Sequence, residues 1–174
     1  MGNERLRVAV ADSGPLIHLT EIHCIHLLHV FNKLYIPNAV WVETVGQNRI
    51  SQYDLSDATN IQRHSLPRSE VAQFVKETSI TELHTGEREC LFLCRQEGIS
   101  TILTDDMAVR DAAKHMDLIP VGSLGIVVKG YTIRIISLEE AVQYINDLYN
   151  VSSLFVTHAI VDLAIEQLRQ YTIT

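Results

Sequence analysis

The sequence predicts an α/β fold built on a central parallel sheet. Three observations predict it. Short β-rich apolar segments alternate with stretches of helical periodicity along the chain, the pattern of strand–helix units. Two of those segments, "RVAVA" and "STILT", read as strands buried in a core. The chain has 174 residues, 47% of them apolar, enough for one ordinary domain with a real core.

The elements follow in order. "RVAVA", residues 7–11, is the first strand. "PLIHLTEIHCIHLLHVF" carries Leu16, Leu19, Ile22, Ile25, Leu27, Leu28 and Phe31 at mostly helical spacing, which predicts a helix or two short ones. "KLYI" is a second strand, and Pro37 suits the first turn of a helix through "PNAVWVETV". Residues 46–66 are polar and carry no clear period. "LPRSEVAQFVKET" predicts a helix from Ser69, with Glu70 in its first turn. "GERECLFLCRQEG" predicts another, with a stripe at Cys90, Leu91, Leu93 and Cys94 and a stop at Gly98. "STILT" is a buried strand ending at Asp105 and Asp106, and "MAVRDAAKHM" is helical by alanine content. "LIPV" is a short strand and "GSLGIVVKG" opens the next helix. From "SLEEAVQYINDL" the pattern is helical to the end, with Ser137 and Glu140 in capping-box positions. The last stripe, Ile160, Leu163, Ala164 and Leu168, reads as core. We divide the chain into an α/β domain, residues 1–136, and a helical extension, residues 137–174, packed on the same domain.

Composition excludes several classes. The longest apolar runs fall far short of the roughly 20 residues that span a bilayer, and the N-terminal stretch lacks a signal-peptide pattern. The expectation is a soluble cytoplasmic protein with no membrane partner. Cys24, Cys90 and Cys94 lie in apolar surroundings and read as reduced core thiols. The formal net charge of −7 argues against a simple nucleic-acid-binding module. It argues less against an enzyme whose acids are cancelled by bound cations. The cluster His18, His23, His26 and His29 lacks the HExxH arrangement and reads as helix surface. Ser13 has no G-x-S-x-G elbow around it, and "GSLG" is too short for a phosphate loop.

What remains is a set of acids at the joints. Asp12 follows the first strand, Glu43 lies in the helix after the second, and Glu87 and Glu89 open the helix before "STILT". Asp105 and Asp106 follow that strand immediately. In an open parallel sheet the carboxyl ends of the strands collect at one edge, where sites form. Asp12 and the Asp105–Asp106 pair can therefore meet although they are distant in sequence, and Glu87 or Glu43 can join them. Clustered carboxylates raise one another's pKa or recruit a cation. An oxygen-only set suits Mg²⁺ or Mn²⁺, ions that activate water in phosphodiester cleavage. The plainer role for each acid is structural: a cap at Asp12, Asp105 or Asp106, a dipole partner at Glu87 and Glu89, a solvated face at Glu43. Arg110 is a candidate phosphate partner whose default reading is a surface helix residue. Placement at matching joints is what favours a site.

Taken in order, "VADSGPLIHL", "LYIPNAVWVET", "TGERECLFLC" and "ILTDDMAVRDAA" resemble the successive motifs of a PIN domain, and "LIPVGSLGIVVKG" is similar to the continuation in a PIN-like subfamily of archaea and bacteria. The resemblance spans residues 7–130. It implies a three-layer α/β/α fold and Mg²⁺- or Mn²⁺-dependent endoribonuclease activity, often as the toxin of a toxin–antitoxin pair. By position it implies catalytic roles for Asp12, Glu43, Glu87 and Asp106. It implies metal ligation by Asp12, Glu87, Asp105 and Asp106, with Asp106 ahead of Asp105 because it fits the Thr-x-Asp position after Thr104. Glu87 stands where many members have an Asp. The implied partners are single-stranded RNA, an antitoxin protein and a second copy in a homodimer. The helical tail is additional to a minimal PIN domain. Arg5, Arg7, Arg49, Arg63, Arg68, Arg88 and Arg110 are the cations expected to hold RNA. The alternative is a catalytically inactive PIN-like binding or scaffolding protein, with the acids as caps and the tail as its interaction surface. A phosphatase with Asp12 as nucleophile would need an Asp-x-Asp pattern, and Gly14 stands where the second Asp would be.

Overall fold

The computed structural model describes residues 6–56 and 59–172. Among these, five strands form one sheet: β1 (Leu6–Ala11), β2 (Phe31–Pro37), β3 (Ile61–His64), β4 (Thr101–Leu103) and β5 (Ile119–Val121). Their order is β3-β2-β1-β4-β5, and every pairing is parallel. Val10 registers with Tyr35 of β2 and Ile102 of β4, and Ala11 with Leu103. Ala9, Val10 and Ala11 are fully buried. Successive strand side chains point to opposite faces, so both faces of β1 are covered. The result is the three-layer α/β/α arrangement.

The helices are α1 (Ser13–Glu21), α2 (Asn38–Trp41), α3 (Gln52–Ser56), α4 (Arg68–Thr78), α5 (Thr85–Glu97), α6 (Met107–His115), α7 (Ser123–Thr132), α8 (Leu138–Asn150) and α9 (His158–Thr172). α5 packs on β1, β2 and β4, while α7 packs on α1, α8 and α9. From β1 the chain moves outward through β2 to β3, then crosses back over the sheet to β4 and β5. That reversal puts a crevice between the carboxyl ends of β1 and β4, the place where doubly wound sheets bind ligands. The α8 capping box forms as expected, with Ser137 N–H donating to Glu140 Oε2 at 2.7 Å and Glu140 N–H to Ser137 Oγ at 3.1 Å. All three cysteines are buried free thiols. No described helix is long and apolar enough to cross a membrane.

Four local features depart from the periodicity. The stretch after β1 gives one α-helix and then a 3-10 turn, Ile25–Val30, because the chain takes a positive φ of 56° at His23. Phe31 belongs to β2 rather than to the helix. β3 has no apolar alternation; its pairing is secured by Asn60, whose amide donates to Leu28 O and Phe31 O at 3.0 Å each. α2 runs into a π-helical turn, Val42–Gly46, in which the buried Thr44 hydroxyl donates to Val40 O at 2.8 Å. The final helical stretch breaks between α8 and α9, where Ser153 N–H and Oγ donate to the Glu21 carboxylate at 2.7 and 2.9 Å. In α9 the buried stripe is Val161, Ala164 and Leu168, while Ile160 and Leu163 are exposed. The seven-residue link sets that phase, which the α9 sequence alone leaves ambiguous.

Gly98 ends α5 at φ 64°, with nothing within 4 Å of where a Cβ would stand. The cost of a side chain there is therefore conformational alone. Gly98→Ala should destabilise the chain by about 1 kcal/mol in urea unfolding, and Gly98→Asn by less, because Asn tolerates the left-handed region better.

Candidate active site

Asp12 is where β1 reaches the crevice. Its amide donates to Leu103 O at 3.0 Å, joining the ends of β1 and β4. Its backbone is extended, and its carboxylate caps α1 by accepting Ser13 N–H at 2.7 Å on Oδ1. Oδ2 accepts the Thr104 hydroxyl at 3.2 Å. The side chain is 4% exposed. Burial pushes its pKa up to about 7; the Ser13 and Thr104 hydrogen bonds oppose the rise, and the nearby charges of Glu87 and Glu43 add to it. None of these contributions comes from a basic side chain. Carboxylates accept such a position when a cation completes the site.

Glu43 comes from the π-helical turn after α2. The wider turn rephases the chain, and Glu43 stands half-buried rather than out in solvent. Its carboxylate lies against Gly86 at the start of α5. A Cβ there would be 2.9 Å from both of its oxygens, so this approach requires glycine. Burial raises the Glu43 pKa, the Gly86 amide lowers it, and the charges of Glu87 and Glu89 raise it. Glu87 itself caps α5, its Oε2 accepting His84 N–H at 2.7 Å. Glu89 caps a different helix, accepting Ala39 N–H of α2 at 3.0 Å. Asp12, Glu43 and Glu87 thus lie within electrostatic range of one another.

The two acids after β4 divide their roles. Asp105 turns inward, 12% exposed, and accepts three hydrogen bonds. Ser123 N–H at the α7 start donates at 2.7 Å, Ser123 Oγ donates at 2.6 Å, and His18 Nδ1 from α1 lies at 2.8 Å. Asp106 is exposed and caps α6, its Oδ1 accepting Val109 N–H at 3.1 Å. Thr104 lies fully buried between the two strand ends, and Arg110 Nη1 donates to its carbonyl at 3.1 Å.

Two residues of this network have no functional role in the sequence reading: His18, expected on the helix surface, and Ser123. His18 is not on the helix surface; it is 13% exposed and holds Asp105. Its signal was position: a polar residue flanked by Leu16, Ile17 and Leu19, all buried. Ser123 carried no signal, because its role depends on β5 lying beside β4. Of the expected RNA-holding arginines, Arg5 lies outside the described residues. Arg63 is engaged by Asn38 and the Trp41 ring, and Arg88 by Thr81 O.

Among the described residues, no three His, Cys, Asp or Glu side chains close on a common point. Asp12, Glu43 and Glu87 act on one another electrostatically, and Asp105 and Asp106 follow β4. The chemistry of the set nonetheless fits a hard divalent cation. The donors are carboxylate oxygens, and the most buried of them, Asp12, has acids and no base for neighbours. A cation there would offset both the burial that chiefly raises the Asp12 and Glu43 pKa values and the smaller repulsion between the acids.

The folded chain holds a proton on Asp12 from the ordinary carboxylate range up to about 7, whereas the unfolded chain releases it near 4. Stability therefore falls as pH rises through that interval. In EDTA, Asp12→Asn should melt on the order of 5 °C higher than the native chain at pH 8, and the gain should shrink at pH 5. A pH-independent difference in thermal scans contradicts the raised pKa. Gly86→Ala should leave the melting temperature in EDTA nearly unchanged, since the carboxylate end of Glu43 can swing away. If Mn²⁺ stabilises the native chain in the same scans, Gly86→Ala should reduce that stabilisation.

A family model described as DUF3368, a PIN domain, matches residues 8–170 and so runs through α8 and most of α9. No curated protein and no solved structure matches the chain.

Proposed function

The chain belongs to the PIN-domain family, whose members are generally nucleases, and on that premise we propose that it is a Mg²⁺- or Mn²⁺-dependent endoribonuclease. The observation that carries the reading is Asp12: a buried carboxylate at the β1–β4 crevice, with Glu87 and Glu43 in electrostatic range and no basic partner.

Asp12, Glu87, Asp105 and Asp106 are the residues that would hold the ion. Bound there, Mg²⁺ or Mn²⁺ supplies activation of a water and neutralisation of charge at the phosphodiester. The chain's own groups prepare the place. Ser13 N–H and the Thr104 hydroxyl fix both oxygens of Asp12. His18 and Ser123 fix Asp105 in the same way and leave it little freedom to rotate. Gly86 admits the Glu43 carboxylate to the N-terminal end of α5. Asp106 spends only Oδ1 on its cap. Because Asp12 loses its proton near neutral pH, cation binding competes with protonation and strengthens as pH rises toward 8. The hydrolysis needs no covalent enzyme intermediate.

The resemblance also supports a toxin role, with a separate antitoxin chain and a homodimer as its assembly. One observation favours the second reading, an inactive scaffold: Glu87 and Asp106 both serve as helix caps. The two readings part at Asp12, whose burial a scaffold would not need. With Mn²⁺ and a single-stranded RNA, Asp12→Asn should cut at least about 100-fold more slowly than the native chain, a loss typical of removing a group that stabilises developing charge. Equal rates would sink the nuclease reading, as would a native chain that cuts no RNA.

A further inference from the structure

The acids of the crevice open onto something the sequence does not reveal. A cleft of about 1080 Å³ begins at Asp105 and runs between β5, α6 and α7 on one side and the α8–α9 link with α9 on the other. That is slightly above the roughly 300–1,000 Å³ of ordinary small-ligand pockets.

Its charge is opposite to that of the whole chain. The protein has 21 acids against 14 Lys and Arg. The cleft is lined by three cations, Arg110, Lys114 and Lys129, and a single acid, Asp105. That acid is already bound by His18 and Ser123. Arg110 and Lys114 are one turn apart on α6 and therefore share a face, with about 5–6 Å between their Cβ atoms. Lys129 lines the same cleft from α7. Lys114 lies 3.9 Å from Asp111 on an exposed surface, a contact of little energy, and Arg110 stands beside Asp105 with its Nη1 donating to the Thr104 carbonyl.

The far wall supplies aromatic rings. Phe155, in the link, is 95% exposed, and Tyr171, near the end of α9, is 51% exposed. Leu154 and Val128 form buried apolar floor between the walls. Cations and exposed rings lining one cleft are the two parts of a single-strand groove: the cations follow the backbone and the rings stack unpaired bases.

We propose that this cleft is the path of single-stranded RNA to the reaction centre, with Arg110, Lys114 and Lys129 on its phosphates and Phe155 and Tyr171 as stacking platforms. The proposal rests on the nuclease reading above and deepens it: the C-terminal extension is one wall of the substrate channel. It also accounts for how an acidic chain holds RNA. The few cations that matter are gathered on one surface, and of the arginines that the sequence suggests only Arg110 is among them.

The test is fluorescence anisotropy with a labelled ten-nucleotide single-stranded RNA in EDTA, which prevents metal-dependent cleavage. Phe155→Ala, at an almost fully exposed position, should keep the native melting temperature and bind about 5- to 100-fold more weakly. Lys114→Ala and Lys129→Ala should each make the plot of log affinity against log salt shallower by about 0.7. A duplex of the same sequence should bind more weakly than the single strand. If all three variants bind as the native chain does, with unchanged salt slope, while Asp12→Asn has lost cleavage, the channel is overturned and the nuclease reading stands. An acidic peptide is then the occupant to test. If the variants lose binding but Asp12→Asn still cleaves, the channel stands and the assigned reaction centre falls. A native chain that neither binds nor cuts the RNA overturns both.

Discussion

The hydrogen bond from the Asp12 amide to the Leu103 carbonyl closes the carboxyl ends of β1 and β4 on each other. Most of the site depends on that junction. It brings Thr104 within reach of the Asp12 carboxylate and places the next residue, Asp105, across the crevice. It exists because the chain reverses direction in the sheet after β3, so that strands distant in sequence become neighbours. Both strand ends lie in fully buried surroundings, and an unpaired amide there would be costly. The junction is therefore as constrained as the core itself.

Around it the protein manages an excess of negative charge in two ways. Some acids are tied to helix starts: Glu87 to α5, Glu89 to α2, Asp106 to α6. There the partial positive charge of the helix end offsets them. Asp105 is tied by a serine and a histidine. Asp12 has only neutral hydrogen-bond donors, and burial dominates its ionisation. Its raised pKa makes its charge state sensitive near neutral pH to any charge that enters the crevice. Three cations, Arg110, Lys114 and Lys129, line the cleft that begins at Asp105, and Arg110 reaches back to the Thr104 carbonyl. Separating acids and bases along one groove suits a polyanion whose reacting phosphate needs the acids and whose flanking phosphates need the bases.

Legibility varied with the range of the interactions involved. β1, β4, α5, α6 and α8 were readable because burial on both faces, a capping box and a Gly stop are local signals. β3 was not, since its residues Gln62 and Arg63 face solvent and only Asn60 and pairing with β2 define it. The acids at the joints were readable as a set, but their roles were not. Asp106 fitted the family's spacing, yet it is the exposed cap, while Asp105 is the one bound inward. Adjacent residues leaving a strand point in different directions, and which one turns inward depends on α7 and α1 lying alongside. Glu43 depended on a π-helical turn, a one-residue change of phase that periodicity cannot resolve.

The sequence by itself determined the α/β class, the positions of the principal acids along the chain and the family to which they belong. The class and the positions of the acids follow from short-range rules of apolar period, cap and turn chemistry, and the family from the resemblance of the ordered motifs. Only the tertiary structure decided which acids face one another, which carboxylates are spent on caps, and that His18 and Ser123 hold Asp105. It alone brought Arg110, Lys114 and Lys129 into one cleft with Phe155 and Tyr171. The physical reason is the same in each case. These arrangements depend on which strands become neighbours and on the phase in which the last helix docks, and both are settled by burial of the whole core at once rather than by any segment alone.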